Sequence, residues 1–180
     1  MPNKEIELKI LAVDLPDIKK KLSALGAKEK PEILVSEKAL DFPDRKIKQN
    51  GGLFRLRQRG DKTELTYKDN LSLAKGFLTH DEYEITVSDF AVMEQILRKL
   101  GFKCFKDREK KRTSFTLDKL HFEIDKYPDI PPYLEIEGSK DNIERIVKKL
   151  GYSMSETTNL TATQVLKKYR VNSNIQKFKK

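Results

Sequence analysis

The chain has 180 residues, 37 of them Lys or Arg against 28 acids, for a net charge of +9; 37% are hydrophobic and 36% charged. That length is most simply one domain with a real core, and no apolar run is long enough to cross a bilayer. The charged start from Met1 to Lys9 excludes a signal peptide and the lone Cys104 an intrachain disulfide, so we expect a cytoplasmic protein in which Cys104 is a small buried hydrophobe.

The first strand-like run, Lys4 to Leu11, alternates, with Ile6, Leu8 and Ile10 opposing Glu5, Glu7 and Lys9. A helix follows, with Asp14 as cap, Leu15, Ile18, Leu22 and Leu25 on one face, and Gly26 as stop. Strands are expected over Glu32 to Asp41, Leu53 to Arg59 and Lys62 to Lys68, with Gly60-Asp61 as a hairpin turn. Phe54 and Leu56 oppose Arg55, Arg57 and Arg59; Leu65 and Tyr67 oppose Glu64, Thr66 and Lys68. In His80 to Val87 the apolar set is Tyr83, Ile85 and Val87 and the polar set Glu82, Glu84 and Thr86. A second helix, capped by Ser88 and stopped by Gly101, aligns Phe90, Met93, Leu97 and Leu100. The long run Lys103 to Leu117 sets Phe115 and Leu117 against Lys110, Arg112, Ser114 and Thr116, and Asp118-Lys119 turns it into Leu120 to Tyr127. There Phe122 and Ile124 oppose His121, Glu123 and Asp125, and in Tyr133 to Gly138 Leu134 and Ile136 oppose Tyr133, Glu135 and Glu137. A third helix lies between Ser139 and Gly151, a fourth carries Ala162, Val165, Leu166 and Tyr169, and the polar basic tail over 171–180 is expected to fray.

The acidic doublets Glu5/Glu7, Glu82/Glu84 and Glu135/Glu137 each put two carboxylates on one strand face, a repulsion that calls for positive charge. The bland architecture is an antiparallel sheet with one wet face and helices on the other. Eight strands can also close. If the charged faces turn inward, the apolar faces point outward and four amphipathic helices are available to cover them. The result is an α+β fold: a closed eight-stranded antiparallel β-barrel, a tunnel with a charged interior. Arg55, Arg57, Lys68, Lys110 and Arg112 then suit phosphates, and Glu5, Glu7, Glu135 and Glu137 suit Mg²⁺ or Mn²⁺.

EIELK resembles the ExExK signature of the CYTH superfamily, the triphosphate tunnel metalloenzymes. FRLRQRG resembles its arginine strand, LTYK its lysine strand, EYEI an acidic strand, EKKRTSF its Lys-x-Arg strand, and FEID with YLEIEG its closing acidic strands. The resemblance implies one such domain over 1–170. It implies triphosphate-binding bases at Lys9, Arg55, Arg57, Lys68, Lys110 and Arg112, and metal ligands at Glu5, Glu7, Glu135 and Glu137. Asp125, near the metals, joins Lys9 and Arg112 as the expected catalytic groups; Glu82, Glu84 and Glu123 form the tunnel wall. Lys9 also reads as the neutralising partner of Glu5 and Glu7. The chain departs from the pattern in its stiff DKYPDIPPY loop, with Pro131 and Pro132, and in His80, which reads as a surface residue at a strand start.

The implied substrate is a triphosphate compound: ATP, tripolyphosphate or thiamine triphosphate. Class IV adenylyl cyclase chemistry, ATP to cyclic AMP and pyrophosphate, is placed first on length and motif order, with an inorganic or organic triphosphatase as the alternative. A non-catalytic binder of RNA or polyphosphate is the rival suggested by the +9 charge. Phe54, Tyr67, Phe115 and Phe122 fall on the apolar faces, away from where stacked bases would lie, which disfavours nucleic acid. No membrane partner is expected, and a homodimer stays open.

Overall fold

A computed structural model describes residues 3–74 and 76–179; Met1 and the tail's Lys180 lie outside them. In chain order the elements are β1 (Asn3–Ile10), α1 (Leu15–Ala24), β2 (Lys28–Glu29), β3 (Ile33–Asp41), α2 (Lys46–Gln49), β4 (Leu53–Arg59), β5 (Lys62–Ala74), β6 (Phe77–Val87), α3 (Phe90–Lys99), β7 (Lys103–Leu117), β8 (Leu120–Lys126), β9 (Tyr133–Glu137), α4 (Lys140–Lys149), β10 (Thr157–Thr158), α5 (Ala162–Lys168) and β11 (Ile175–Gln176).

Eight strands close in the order β1-β6-β5-β4-β3-β7-β8-β9, and β9 returns to β1 through Glu7↔Glu137 and Lys9↔Glu135. Every neighbouring pair is antiparallel. The charged side of each strand faces the tunnel. Three short strands extend the wall, since β10 pairs with the end of β1, β2 with the end of β7, and β11 with the middle of β7.

The apolar side faces outward and is buried under helices. Leu8, Ile10, Phe122, Leu134 and Ile136 pack with Ile18 and Leu22 of α1 and Ile143, Ile146 and Val147 of α4. Leu40, Leu56 and Leu65 pack under α3 through Met93 and Leu97. A separate cluster forms on the tunnel side, where Tyr127, which also lines the cavity, packs with Ile130, Tyr133 and Val165 and Leu166 of α5, so the proline-stiffened loop is held by α5. Burial on this scale stabilises by roughly 1.5–3 kcal/mol for each large apolar side chain. Helix cover is incomplete around β6: Tyr83 and Ile85 are 49% and 60% exposed, where the alternation predicted a covered face.

Local chemistry explains the helix ends. Asp14 and Ser139 accept backbone N–H bonds as expected, and Gly26, Gly101 and Gly151 take the positive φ that closes each helix. Asp89, not Ser88, caps α3, because its carboxylate accepts from the Val92 N–H. The hairpin β5/β6 is longer than the alternation indicates, since the register shifts between Asp69 and Ser72 and breaks the period there. Cys104 is half-buried at the edge of the α3 cluster, not in the core. The tail is docked: Ile175 and Gln176 pair with Asp107 and Arg108, and Gln176 is buried.

Candidate active site

The tunnel encloses a cavity of about 300 Å³ lined by residues of β1, β3, β4, β5, β6, β7, β8 and β9. Most bases and most acids occupy different arcs of it, with Lys9 set among the acids and Glu37 among the bases. On β4 and β7, Arg55, Arg57, Lys110 and Arg112 point in; on β1 and β9, Glu5, Glu7, Glu135 and Glu137 point in. All the residues the sequence nominated except Asp125 line this one cavity, and Asp125 lies immediately behind it.

Asp125 is fully buried and its two oxygens are engaged by Arg112 Nε at 2.6 Å, Arg112 Nη2 at 2.7 Å and Lys110 Nζ at 2.6 Å. Despite burial, those charges hold its carboxyl below the usual range. Asp125 therefore orients two bases, which leaves it no free oxygen for an ion. Arg57 is held between Glu64, 2.7 Å away, and Glu84, 3.1 Å away, and Glu84 also accepts from Thr66. Lys68 contacts Glu82 at 2.6 Å and Glu5 at 2.5 Å. Glu123 pairs with Arg59 at 3.0 Å. Arg55 differs: Glu37 and Glu82 lie 3.4 and 3.8 Å from its Nη atoms, and its buried Nε has no acceptor among the described residues. A guanidinium that well buried and that loosely paired is set for an anion from outside.

Lys9 sits between Glu7 and Glu135, 2.8 Å from the latter, and is buried. Burial opposes its charge, but the two carboxylates hold its ammonium above the ordinary range. In this structure it is the internal counter-charge of the acids. Glu135 is pulled down, against burial, by Lys9 and Arg112. Glu137 behaves oppositely: burial, then Glu5 and Glu135, push it well above the carboxylate range, and no close ion pair relieves it among the described residues. One oxygen each from Glu7, Glu135 and Glu137 lies within 4.8 Å of the others. A half-buried carboxylate left facing like charges, in a hard-oxygen donor set, fits a divalent cation such as Mg²⁺ or Mn²⁺.

Several cavity residues carried no sequence assignment. Glu37 is hidden in a run, Ser36 to Asp41, that does not alternate by hydropathy; it is buried beside Arg55, Lys110 and Arg108, and those charges, after burial has raised it, bring its carboxyl down to about 2. Lys106 and Arg108 share the parity of Lys110 and Arg112 on β7, a signal that was there to follow. Burial, then Arg108, lowers Lys106 to about 8. His80 is not a surface residue: it is 4% exposed and meets Glu5 and Lys68 in the tunnel. It lies directly opposite Glu5 in the β1/β6 register, which places it inside.

Known proteins share this architecture. A Methanocaldococcus jannaschii protein named "Putative adenylate cyclase" is 25% identical over 166 residues, covering 91% of this chain and 94% of that one. The solved PH1012 protein of Pyrococcus horikoshii superposes with a TM-score of 0.75 at 25% identity, covering 87% of this chain and 96% of that one. A Hippeastrum structure, described as a putative adenylyl cyclase with a dominant triphosphatase activity, has a TM-score of 0.67 at 14% identity over 93% of this chain and 97% of that one, a likeness of fold. The CYTH domain matches residues 3–172, from the first barrel strand through the helix that follows β10. This chain belongs to the CYTH family.

Proposed function

We propose that the protein is a metal-dependent phosphoryl-transfer enzyme that hydrolyses a triphosphate compound inside its tunnel. The observation that carries this reading is the opposition, within one closed cavity, of an arginine and lysine arc to a carboxylate arc that contains the unrelieved Glu137. A tunnel of bases alone would bind polyanions; the acids add a place for a cation that bridges protein and phosphate oxygens.

Glu7, Glu135 and Glu137, with Glu5 beside them, would hold Mg²⁺ or Mn²⁺. When bound, the ion supplies charge neutralisation on the phosphoryl oxygens and lowers the pKa of a coordinated water. The chain's own residues do the rest. Arg55 offers its free Nε to a phosphate oxygen, while Arg57, Lys110 and Arg112, already fixed by Glu64, Glu84 and Asp125, present donors without reorganisation. Lys68, carried between Glu5 and Glu82, can reach phosphate while retaining one carboxylate partner. The closed wall limits bulk water, which strengthens each of these interactions.

Cyclisation of ATP is the second reading, favoured by the name of the M. jannaschii relative. It needs a nucleoside site aligned with the α-phosphate. The apolar lining available is sparse, chiefly Leu53, Leu71, Leu78 and Tyr127, so the cavity supports hydrolysis more directly. Incubation with tripolyphosphate, ATP or thiamine triphosphate in Mg²⁺ or Mn²⁺, with products resolved by ion-exchange chromatography, tests both. Orthophosphate and a diphosphate are expected; cyclic AMP with pyrophosphate selects the second reading, and no turnover with any of them defeats the first.

A further inference from the structure

We infer that His80 is a metal ligand, forming with Glu5 and Glu7 a mixed nitrogen-and-oxygen site beside the all-carboxylate group of Glu7, Glu135 and Glu137, and that this site takes Mn²⁺ in preference to Mg²⁺. The inference rests on the tunnel acids binding metal, and is independent of which reaction follows.

Three groups converge on one point. His80 Nε2 touches Glu5 Oε2, and Lys68 Nζ lies 2.7 Å from the same nitrogen and 2.5 Å from the same oxygen. With a hydrogen on Nε2 the ring donates to Glu5, but that N–H then confronts the Lys68 ammonium. With a bare Nε2 the ring accepts from Lys68, but its lone pair then confronts the Glu5 oxygen. Either arrangement leaves one contact unfavourable. A buried histidine serving only to orient a carboxylate needs one partner and would not gather two. A dication relieves both conflicts, because the imidazole and carboxylate lone pairs can then point at the same positive centre.

Lys68 is a movable place-holder in that arrangement. It already has a second carboxylate, Glu82, at 2.6 Å, so its ammonium can turn away without losing an ionic partner. Glu7 belongs to both candidate groups, and a shared carboxylate is how two ions are held close together. The imidazole sets the preference. Mg²⁺ takes oxygen ligands in a strict octahedron and dehydrates reluctantly, whereas Mn²⁺ is at home among carboxylates and, as a transition metal, accepts one imidazole nitrogen more readily than Mg²⁺ does. His80 stands directly opposite Glu5 in register, so the donor pair is fixed by strands and not by a loop.

The chain holds two histidines; the other, His121, is exposed and outside this group but stands opposite Glu137 in the β8/β9 register, so it is the control the test needs. Mn²⁺-loaded protein is examined by electron spin-echo spectroscopy, with and without histidine-selective ¹⁵N labelling. An imidazole ¹⁴N modulation is expected in the wild type, replaced by a ¹⁵N signal on labelling, absent in His80→Gln and retained in His121→Gln. Mn²⁺ affinity of the site should fall in His80→Gln by at least the roughly 10–100-fold that loss of an outer-shell partner costs, with Mg²⁺ affinity nearly unchanged. Bound Mn²⁺ with no histidine nitrogen coupling in the labelled wild type overturns the assignment, and that experiment requires no variant to fold. A signal that survives His80→Gln also overturns it. Absence of Mn²⁺ binding altogether instead removes the metal reading beneath it, and absence of turnover with the nitrogen signal intact removes only the reaction.

Discussion

Arg112 and Asp125 are direct cross-strand partners on β7 and β8, and the guanidinium grips both carboxylate oxygens at 2.6 and 2.7 Å inside a fully buried pair. Lys110 shares the same carboxylate. Asp125→Ala strands two buried cations, so a loss of about 3–5 kcal/mol in unfolding free energy is expected. Urea denaturation measures it. Asp125→Asn keeps the shape but loosens the fork, and should raise KM for a triphosphate more than it lowers kcat; an unchanged KM would sink the positioning role.

Glu137 is a site of conflict between stability and function. Burial and the charges of Glu5 and Glu135 raise its folded pKa, so its ionised form costs stability at neutral pH, a cost that appears as pH rises above the ordinary carboxylate value. Glu137→Gln should therefore melt a few degrees above the wild type in chelator. Added Mg²⁺ should raise the wild-type melting temperature, by the equivalent of about 2.7 kcal/mol at a hundred times Kd, and should move the variant much less, whereas Mn²⁺ should still stabilise the variant through Glu5, Glu7 and His80. A calorimetric scan of both proteins with and without metal separates the two effects.

Lys106 gives the tunnel an alkaline limit. Its folded pKa, about 8, is below the usual lysine value, so between about pH 8 and the ordinary lysine range the unfolded chain binds the extra proton and this group's penalty fades as pH rises. Charge behaves the other way for binding. As pH passes about 8 the cavity loses one positive charge, and kcat/KM for a triphosphate should fall. Lys106→Arg keeps its charge and should move that limb upward in a pH profile; an unaltered limb would assign it to another group.

Arg108 ties the tail to the barrel. It donates from Nε to the Ser173 carbonyl at 2.8 Å and from Nη2 to Thr163 Oγ1 at 3.0 Å, linking β7 to α5 and to the chain beyond it. Arg108→Ala should cost about 1 kcal/mol, because the half-buried Ser173 carbonyl loses its donor while Thr163 keeps Lys106. Hydrogen exchange should quicken at 173–178 and stay slow in β1 and β9.

The barrel was legible because charge and hydropathy alternate so strictly in β1, β4, β8, β9 and the last third of β7, and period two allows a strand only one inward face. Matching Glu5, Glu7, Arg55, Arg57, Lys110 and Arg112 to that face needed no tertiary information. His80 and Glu37 were not legible in the same way. His80 shares the parity of Glu82 and Glu84, but as the first residue of the expected strand it read as a rim residue; a β6 that begins at Phe77 places it mid-strand, opposite Glu5. Glu37 faces Arg57 and Arg108 across two neighbours, a relationship that no single strand records. The docked tail escaped notice because Ile175 and Gln176 gain their order from the exposed edge of β7, not from any pattern of their own.

The seam between β1 and β9 joins nearly the two ends of the domain, and Glu7 meets Glu137 there as a like-charged pair in direct register. The last barrel strand must be made before the first can be closed, so this pairing carries the largest loop-closure entropy of the barrel. The carboxylate cradle is consequently absent from any nascent chain that stops short of β9, and its own repulsion opposes the step that completes it. A dication arriving at that seam would act as a clasp: refolding in metal should close faster, and the native protein should open more slowly, than in chelator.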